Sequence, residues 1–164
     1  MCIRVKKNYL TFKDHKFQCS IGRSGFSKNK QEGDGFTPIG SFKIEKIYYR
    51  SDKIDNLETK INKFKIHELD GWCDDSSQKE YNKLIRFPYN FSAEKLYRDD
   101  SLYNIVCVLN YNTNPIKPGL GSAIFLHIAK FDYKVTEGCV ALKQEDLIYL
   151  LSFIDNKTKI ILGD

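Results

Sequence analysis

Apolar and polar residues alternate in short runs along most of the chain. Ile3 and Val5 alternate with Arg4 and Lys6, an apolar run at 9–12 follows Asn8, and Phe17, Cys19 and Ile21 alternate after Asp14-His15. A period of two is the mark of half-buried strands, so residues 2–21 are expected to form a meander. Pro38 opens another strand, in which Phe42 and Ile44 alternate with Lys43 and Glu45 and the apolar set continues through Ile47, Tyr48 and Tyr49. Phe64-Lys65-Ile66-His67 predicts a further strand, and Asp70-Gly71 a turn. The contiguous run from Ile105 to Leu109 reads as a strand buried on both faces, and a second run, 123–126, leads into His127. Only one segment changes period. Leu147, Leu150, Leu151 and Ile154 recur at i, i+3, i+4 and i+7 behind Glu145 and Asp146, the stripe and first-turn charge of an amphipathic helix. Residues 159–162 then return to strand. Residues 50–63 are dominated by charge and Asn and read as a solvated excursion with a helical turn, while 84–100 read as irregular with a short helix near 92–97. The pattern predicts a mainly β protein, a β-sandwich of mixed strands with a few short helices.

Composition narrows the possibilities. With 164 residues, 41% apolar and 29% charged, the chain suits one packed domain over 1–164 rather than a disordered segment. The net charge of +5 comes from scattered lysines, without a basic helix or an Arg-rich run, which excludes a nucleic-acid groove. Residues 1–7 interleave their charges, and no window approaches the roughly 20 apolar residues of a membrane span. Five cysteines without a C-x-x-C pair suggest neither a disulfide framework nor a zinc ribbon; Cys19 and Cys107, in apolar strand patterns, read as core. His67, Cys73, Asp74 and Asp75 have mixed spacing and read as a hydrated turn, so neither metal nor cofactor is expected. Gly22, Gly25, Gly33, Gly35 and Gly40 fall within nineteen residues but match neither G-x-G-x-x-G nor the P-loop, which excludes nucleotide binding of those kinds. Oligomeric state is left open.

Chemistry concentrates in residues 121–142, where His127 is followed by Thr136-Glu137-Gly138-Cys139. A free thiol has a pKa of about 8.5 and is mostly protonated at neutral pH, so a nearby imidazole that accepts its proton makes it a nucleophile. Gly138 lets the backbone turn sharply, so that its N–H and that of Cys139 converge on the oxyanion of an acyl-transfer intermediate.

His127 followed by Thr136-Glu137-Gly138-Cys139-Val140 resembles the catalytic motif of the L,D-transpeptidase (YkuD-like) family, a histidine, a variable loop and Ser/Thr-x-Gly-Cys. Gly22-Arg23-Ser24-Gly25 followed by Glu32-Gly33-Asp34-Gly35-Phe36-Thr37-Pro38-Ile39-Gly40-Ser41-Phe42 is similar to the N-terminal signature of the same family, and Gly71-Trp72-Cys73-Asp74-Asp75 with Tyr81-Asn82 resembles a small subgroup. The histidine-to-cysteine separation is twelve positions, Glu137 stands where many members carry histidine, and Ala141 replaces an Asn or Arg. The resemblance implies a sandwich of two packed sheets and acyl transfer on peptidoglycan stem peptides, with Cys139 as nucleophile, His127 as base oriented by a backbone carbonyl or by Asp132, and Gly138 as an oxyanion donor. Water as the acceptor would make it an L,D-carboxypeptidase, and loss of the reaction a wall-binding module. The resemblance also implies trapping of the cysteine by carbapenems and a place in the periplasm or cell envelope, although no export signal is visible. On the substrate side it points to Thr136 and Glu137 beside the cysteine. Arg23 suits a substrate carboxylate or a surface turn, Trp72 a substrate contact or a core cap, and Tyr111 the oxyanion's surroundings or edge packing.

Overall fold

The structure is a computed structural model that describes residues 1–163. Its strands are β1 (Cys2–Lys6), β2 (Tyr9–Phe12), β3 (His15–Ser20), β4 (Phe26–Ser27), β5 (Thr37–Pro38), β6 (Gly40–Phe42), β7 (Ile44–Tyr49), β8 (Lys63–Lys65), β9 (Asp70–Cys73), β10 (Leu84–Arg86), β11 (Ala93–Lys95), β12 (Ile105–Leu109), β13 (Phe125–Ile128), β14 (Val140–Leu142) and β15 (Lys159–Leu162), with one helix, α1 (Gln144–Phe153). The fold is mainly β, as the alternation predicts, and β1, β2 and β3 form the expected meander.

Ten strands make one mixed sheet in the order β6-β15-β1-β2-β3-β14-β13-β12-β7-β8; β10-β9-β11 form a second sheet and β4-β5 a pair. The ten-stranded sheet curls. Ile3, Leu10, Cys19, Ile44, Ile47, Ile105, Cys107, Leu109, Leu126, Val140, Leu142 and Ile160 from its strands share one core with Leu147, Leu150, Leu151 and Ile154 at α1. Burying each such leucine contributes up to about 2 kcal/mol, which holds a ten-residue helix that would be marginal alone. On the opposite face of β7, β12 and β13, Tyr48, Val106, Val108 and Phe125 pack with Trp72, Leu96 and Tyr103, so the small sheet covers the large one. Among the described residues no helix is long and apolar enough to cross a membrane.

Three expectations fail. Residues 50–63 hold the expected helical turn, with Ile54 N–H donating to Arg50 O at 2.9 Å, but the segment is not merely solvated, because Ile54, Leu57 and Ile61 dip from it into the main core. The segment near 92–97 is strand rather than helix: Ala93, Glu94 and Lys95 pair antiparallel with Cys73, Trp72 and Gly71. Completing a sheet edge outweighs the helix propensity of Ala, Glu and Lys. Cys73, expected in an accessible turn, is fully buried, with its sulfur 3.3 Å from the Tyr89 hydroxyl.

Candidate active site

The two glycine-rich sequence blocks meet in space. Gly22 and Thr136 form a parallel bridge, with Arg23 N–H donating to Thr136 O at 2.8 Å and Thr136 N–H to Ile21 O at 2.9 Å. Thr37, from the Thr-Pro strand, accepts Gly22 N–H at 2.8 Å and donates its hydroxyl to Gly138 O at 2.9 Å. Thr136 accepts Gly138 N–H at 3.1 Å and donates to Cys139 O at 2.6 Å. The turn before the cysteine is thus held from both sides by threonine hydroxyls. Gly138 has φ of 141°, and a Cβ there would lie 2.9 Å from Phe36 O, so both backbone angle and space require glycine. Its N–H is already given to Thr136, which departs from the expected convergence of the Gly138 and Cys139 N–H groups.

Strand register sets the relation of His127 to Cys139. β13 and β14 are parallel, with His127 opposite Ala141 and Leu126 opposite Val140. Cys139 stands just before β14, two residues from Ala141, which places it diagonal to His127 on the side that Ala141 shares. Both line one cleft of about 200 Å³.

His127 Nδ1 lies 2.9 Å from Ile128 O. A carbonyl only accepts, so Nδ1 carries the hydrogen and Nε2 is the bare nitrogen. A backbone carbonyl therefore orients the ring, whereas Asp132 pairs with Lys134. Burial drives the imidazole pKa down from 6.5 to about 4 and outweighs the opposing effect of the Ile128 and Leu102 carbonyls. Burial pushes the Cys139 thiol up to about 12, helped by the Glu94 carboxylate and opposed by the Phe125 N–H and the Lys30 ammonium. The thiol donates to Ala123 O at 3.0 Å, and its sulfur accepts Phe125 N–H at 3.4 Å. At neutral pH the pair rests as thiol and neutral imidazole, not as an ion pair.

Of the residues anticipated on the substrate side, Thr136 and Glu137 line the cleft. Arg23, Trp72 and Tyr111 do not. Arg23 lies outside it, bound to Glu137 Oε2 at 2.9 Å and Gly33 O at 3.1 Å. Trp72 is 2% exposed, in the buried cluster that also holds Cys139, with its ring edge-to-face on Phe125. Its Nε1–H donates to Asn82 Oδ1, which also accepts Ala123 N–H, both at 3.0 Å. The tryptophan thus reaches the thiol's acceptor, Ala123, through a shared amide. Tyr111 packs edge-on against Phe42 and donates to Leu120 O at 2.6 Å.

The tyrosine in the cleft is Tyr103, edge-on to His127 at 5.3 Å between ring centroids. Its hydroxyl lies near the Glu94 carboxylate, and burial raises the pKa of both groups. Arg98, Lys130 and Lys134 bring positive charge to the walls. Arg98 is held by Asp100 in a two-point contact at 2.9 and 2.6 Å. Sequence reasoning missed Glu94, Arg98 and Tyr103; the one local hint was a tyrosine at the head of the most apolar strand.

The family model described as the L,D-transpeptidase catalytic domain (YkuD) matches residues 2–162. The chain belongs to that family. No curated protein sequence matches it. Solved structures similar to it include Mycobacterium tuberculosis L,D-transpeptidase 1, at 10% identity and a TM-score of 0.47 over 99% of this chain and 58% of that one. Another is L,D-transpeptidase 3 from Mycobacterium tuberculosis in complex with a faropenem-derived adduct, at 13% identity and a TM-score of 0.47 over 99% of this chain and 59% of that one. The chain spans less than three fifths of the length of either.

Proposed function

We propose that the protein catalyses cysteine-dependent acyl transfer on peptidoglycan stem peptides. The observation that carries this reading is that His127, on β13, and Cys139, just before the β14 paired with it, line one cleft within the L,D-transpeptidase family's catalytic domain. The Cys139 proton leaves Ala123 O for His127 Nε2 as the sulfur attacks the carbonyl preceding a D-amino acid. The oxyanion is held by Cys139 N–H, and by Gly138 N–H once it exchanges Thr136 Oγ1 for the substrate. Collapse breaks the peptide bond, and the leaving amine takes the proton from His127. A second amine then attacks the thioester, gives its proton to His127, and leaves as the new amide while the thiol is restored.

A low imidazole pKa suits this cycle, because Nε2 is unprotonated and ready to accept at neutral pH. The test is incubation of purified muropeptides carrying tetrapeptide stems, with products identified by mass spectrometry. Loss of terminal D-alanine, with acyl groups diverted to an added amine acceptor, is the expected result. Tripeptide alone at every acceptor concentration would make the protein an L,D-carboxypeptidase. Unchanged stems would overturn the proposal.

A further inference from the structure

Lys30 is a buried cation beside the nucleophile's turn that the chemistry above does not use. Its side chain is 3% exposed, although an ammonium is rarely withdrawn from water without a strong partner. It donates to Asp34 Oδ1 at 2.7 Å and to Gln31 O at 3.2 Å. Two glycines make room for it. A Cβ on Gly121 would sit 2.9 Å from its Cε, and one on Gly138 would sit 3.5 Å from its Nζ. The charged end therefore lies against the Gly138–Cys139 turn, on the side shared with Phe36 O.

Holding the glycine-rich loop does not require this charge. Asp34 already braces the loop through Gln31 N–H at 2.6 Å and Phe36 N–H at 2.9 Å, and Ser24 adds a bond to Asp34 O at 2.7 Å. An uncharged side chain of the same length would fill the channel at a smaller desolvation cost.

We infer that Lys30 is a positioning residue for catalysis: its ammonium, fixed by Asp34 against the Gly138 turn, supplies the positive charge that favours the Cys139 thiolate as it forms. The inference rests on Cys139 being the nucleophile. The other groups that face the thiol do not supply this charge. Glu94, from β11, opposes the thiolate, Tyr103 is kept neutral by burial and by Glu94, and His127, from β13, is neutral until it takes the thiol proton. Arg98 and Lys134 in the same cleft are paired with Asp100 and Asp132, and Lys130 acts on Asp100. Glu32, on the same loop as Lys30, accepts a hydrogen bond from the Tyr81 hydroxyl. The Lys30 charge acts in the required direction, lowering the Cys139 pKa.

The test uses Lys30→Gln, which keeps a donor without the charge, and Lys30→Met/Asp34→Asn, which removes both charges and leaves no orphaned carboxylate. Carbamidomethylation of Cys139 by iodoacetamide is followed against pH, with the site assigned by peptide mass spectrometry and Cys139→Ser as control. The rising limb of the profile is expected to move up by about one pH unit, so that the reaction is about tenfold slower at each pH. Turnover on tetrapeptide stems should show kcat lowered about tenfold with KM within about twofold. A merely structural role would lower thermal stability or disturb KM and leave the profile in place, and superimposable profiles in either folded variant overturn the assignment. Thiol reactivity needs no stem peptide. A displaced profile in a protein without turnover on stems would therefore refute the acyl-transfer reading and leave the Lys30 assignment standing.

Discussion

The two faces of β12 and β13 differ in what burial accomplishes. One face sends Ile105, Cys107, Leu109, Leu126 and Ile128 into an aliphatic core with α1; the other sends Val106, Val108 and Phe125 into an aromatic layer with Tyr48, Trp72 and Tyr103. Each face contains a buried thiol. Burial drives the pKa of Cys107 far above its ordinary range, and that of Cys139 to about 12. What separates them is their polar surroundings. Cys139 has an acceptor at Ala123, a donor at Phe125, an imidazole on its own face and Lys30 behind its turn. For Cys107, burial is the sole cause of its shift. Reactivity is expected from that set of partners and an opening to the cleft, and not from burial.

Exchange of the two thiols gives the largest contrast. Cys139→Ala and His127→Ala are each expected to lower turnover on stem peptides by at least about 10⁴-fold with folding retained. Cys107→Ala is expected to keep turnover and lower stability by about 1 kcal/mol in urea unfolding, the cost of a small cavity. A carbapenem adduct should map to Cys139 alone. An adduct on Cys107 or Cys73, or one that persists in Cys139→Ser, would break the comparison.

The second contrast is in acid. The folded-state pKa of His127 is depressed from 6.5 to about 4, so the unfolded chain binds a proton before the folded one does. The stability this group confers is fully present above pH 6.5 and is lost as pH falls through its folded pKa, in all about 3 kcal/mol. His127→Gln should flatten this part of the stability curve, as followed by chemical unfolding at a series of pH values. An equal acid slope in the variant would mean that burial does not depress the imidazole pKa in the folded protein.

A smaller effect is expected from the amide that Trp72 and Ala123 share. Asn82→Ala leaves both the Trp72 Nε1–H and the Ala123 N–H without their shared acceptor, at a cost of about 2 kcal/mol. Ala123, at φ of 51°, is held in a conformation few non-glycine residues adopt, so its release should also disturb the thiol's acceptor. Turnover is expected to fall more than it does for Trp72→Phe, which removes one donor and leaves the bond from Ala123 to Asn82 intact.

The aliphatic face was largely legible in the sequence and the aromatic face was not. Strands β1 to β3, β12 and α1 declare themselves by period, and His127 and Cys139 by a compact local motif. Glu94 enters the cleft because β11 adds itself to β9, a pairing that overrides the helical propensity of Ala93-Glu94-Lys95-Leu96. Ile54, Leu57 and Ile61 reach the core from a segment whose charges conceal them, since three isolated apolar residues set no period. For Trp72, substrate contact and core cap fit the sequence equally, since a one-dimensional pattern carries nothing to separate the two. Lys30 was invisible because a buried lysine and an exposed one look the same in sequence.

The smallest effect is expected at the rim, where Arg23 and Glu137 form an ion pair at 2.9 Å with side-chain exposures of 47% and 79%. A pair so open to water contributes about 0.5 kcal/mol or less, and the coupling measured by a double-mutant cycle should shrink further as salt shortens the screening length. Arg23 also lies across Gly35, where a Cβ would stand 2.7 Å from its Cγ, so its stem is placed by the glycine loop as well as by the carboxylate. Since Glu137 lines the cleft and Arg23 does not, the arginine is expected to hold Glu137 rather than a substrate. Arg23→Gln should therefore leave KM for stem peptides within about twofold, and Glu137→Gln should change KM at least as much. A rise in KM of about tenfold for Arg23→Gln, absent from Glu137→Gln, would instead mean that Arg23 leaves its partner and takes a substrate carboxylate, which would extend the working side of the cleft to the glycine-rich loop.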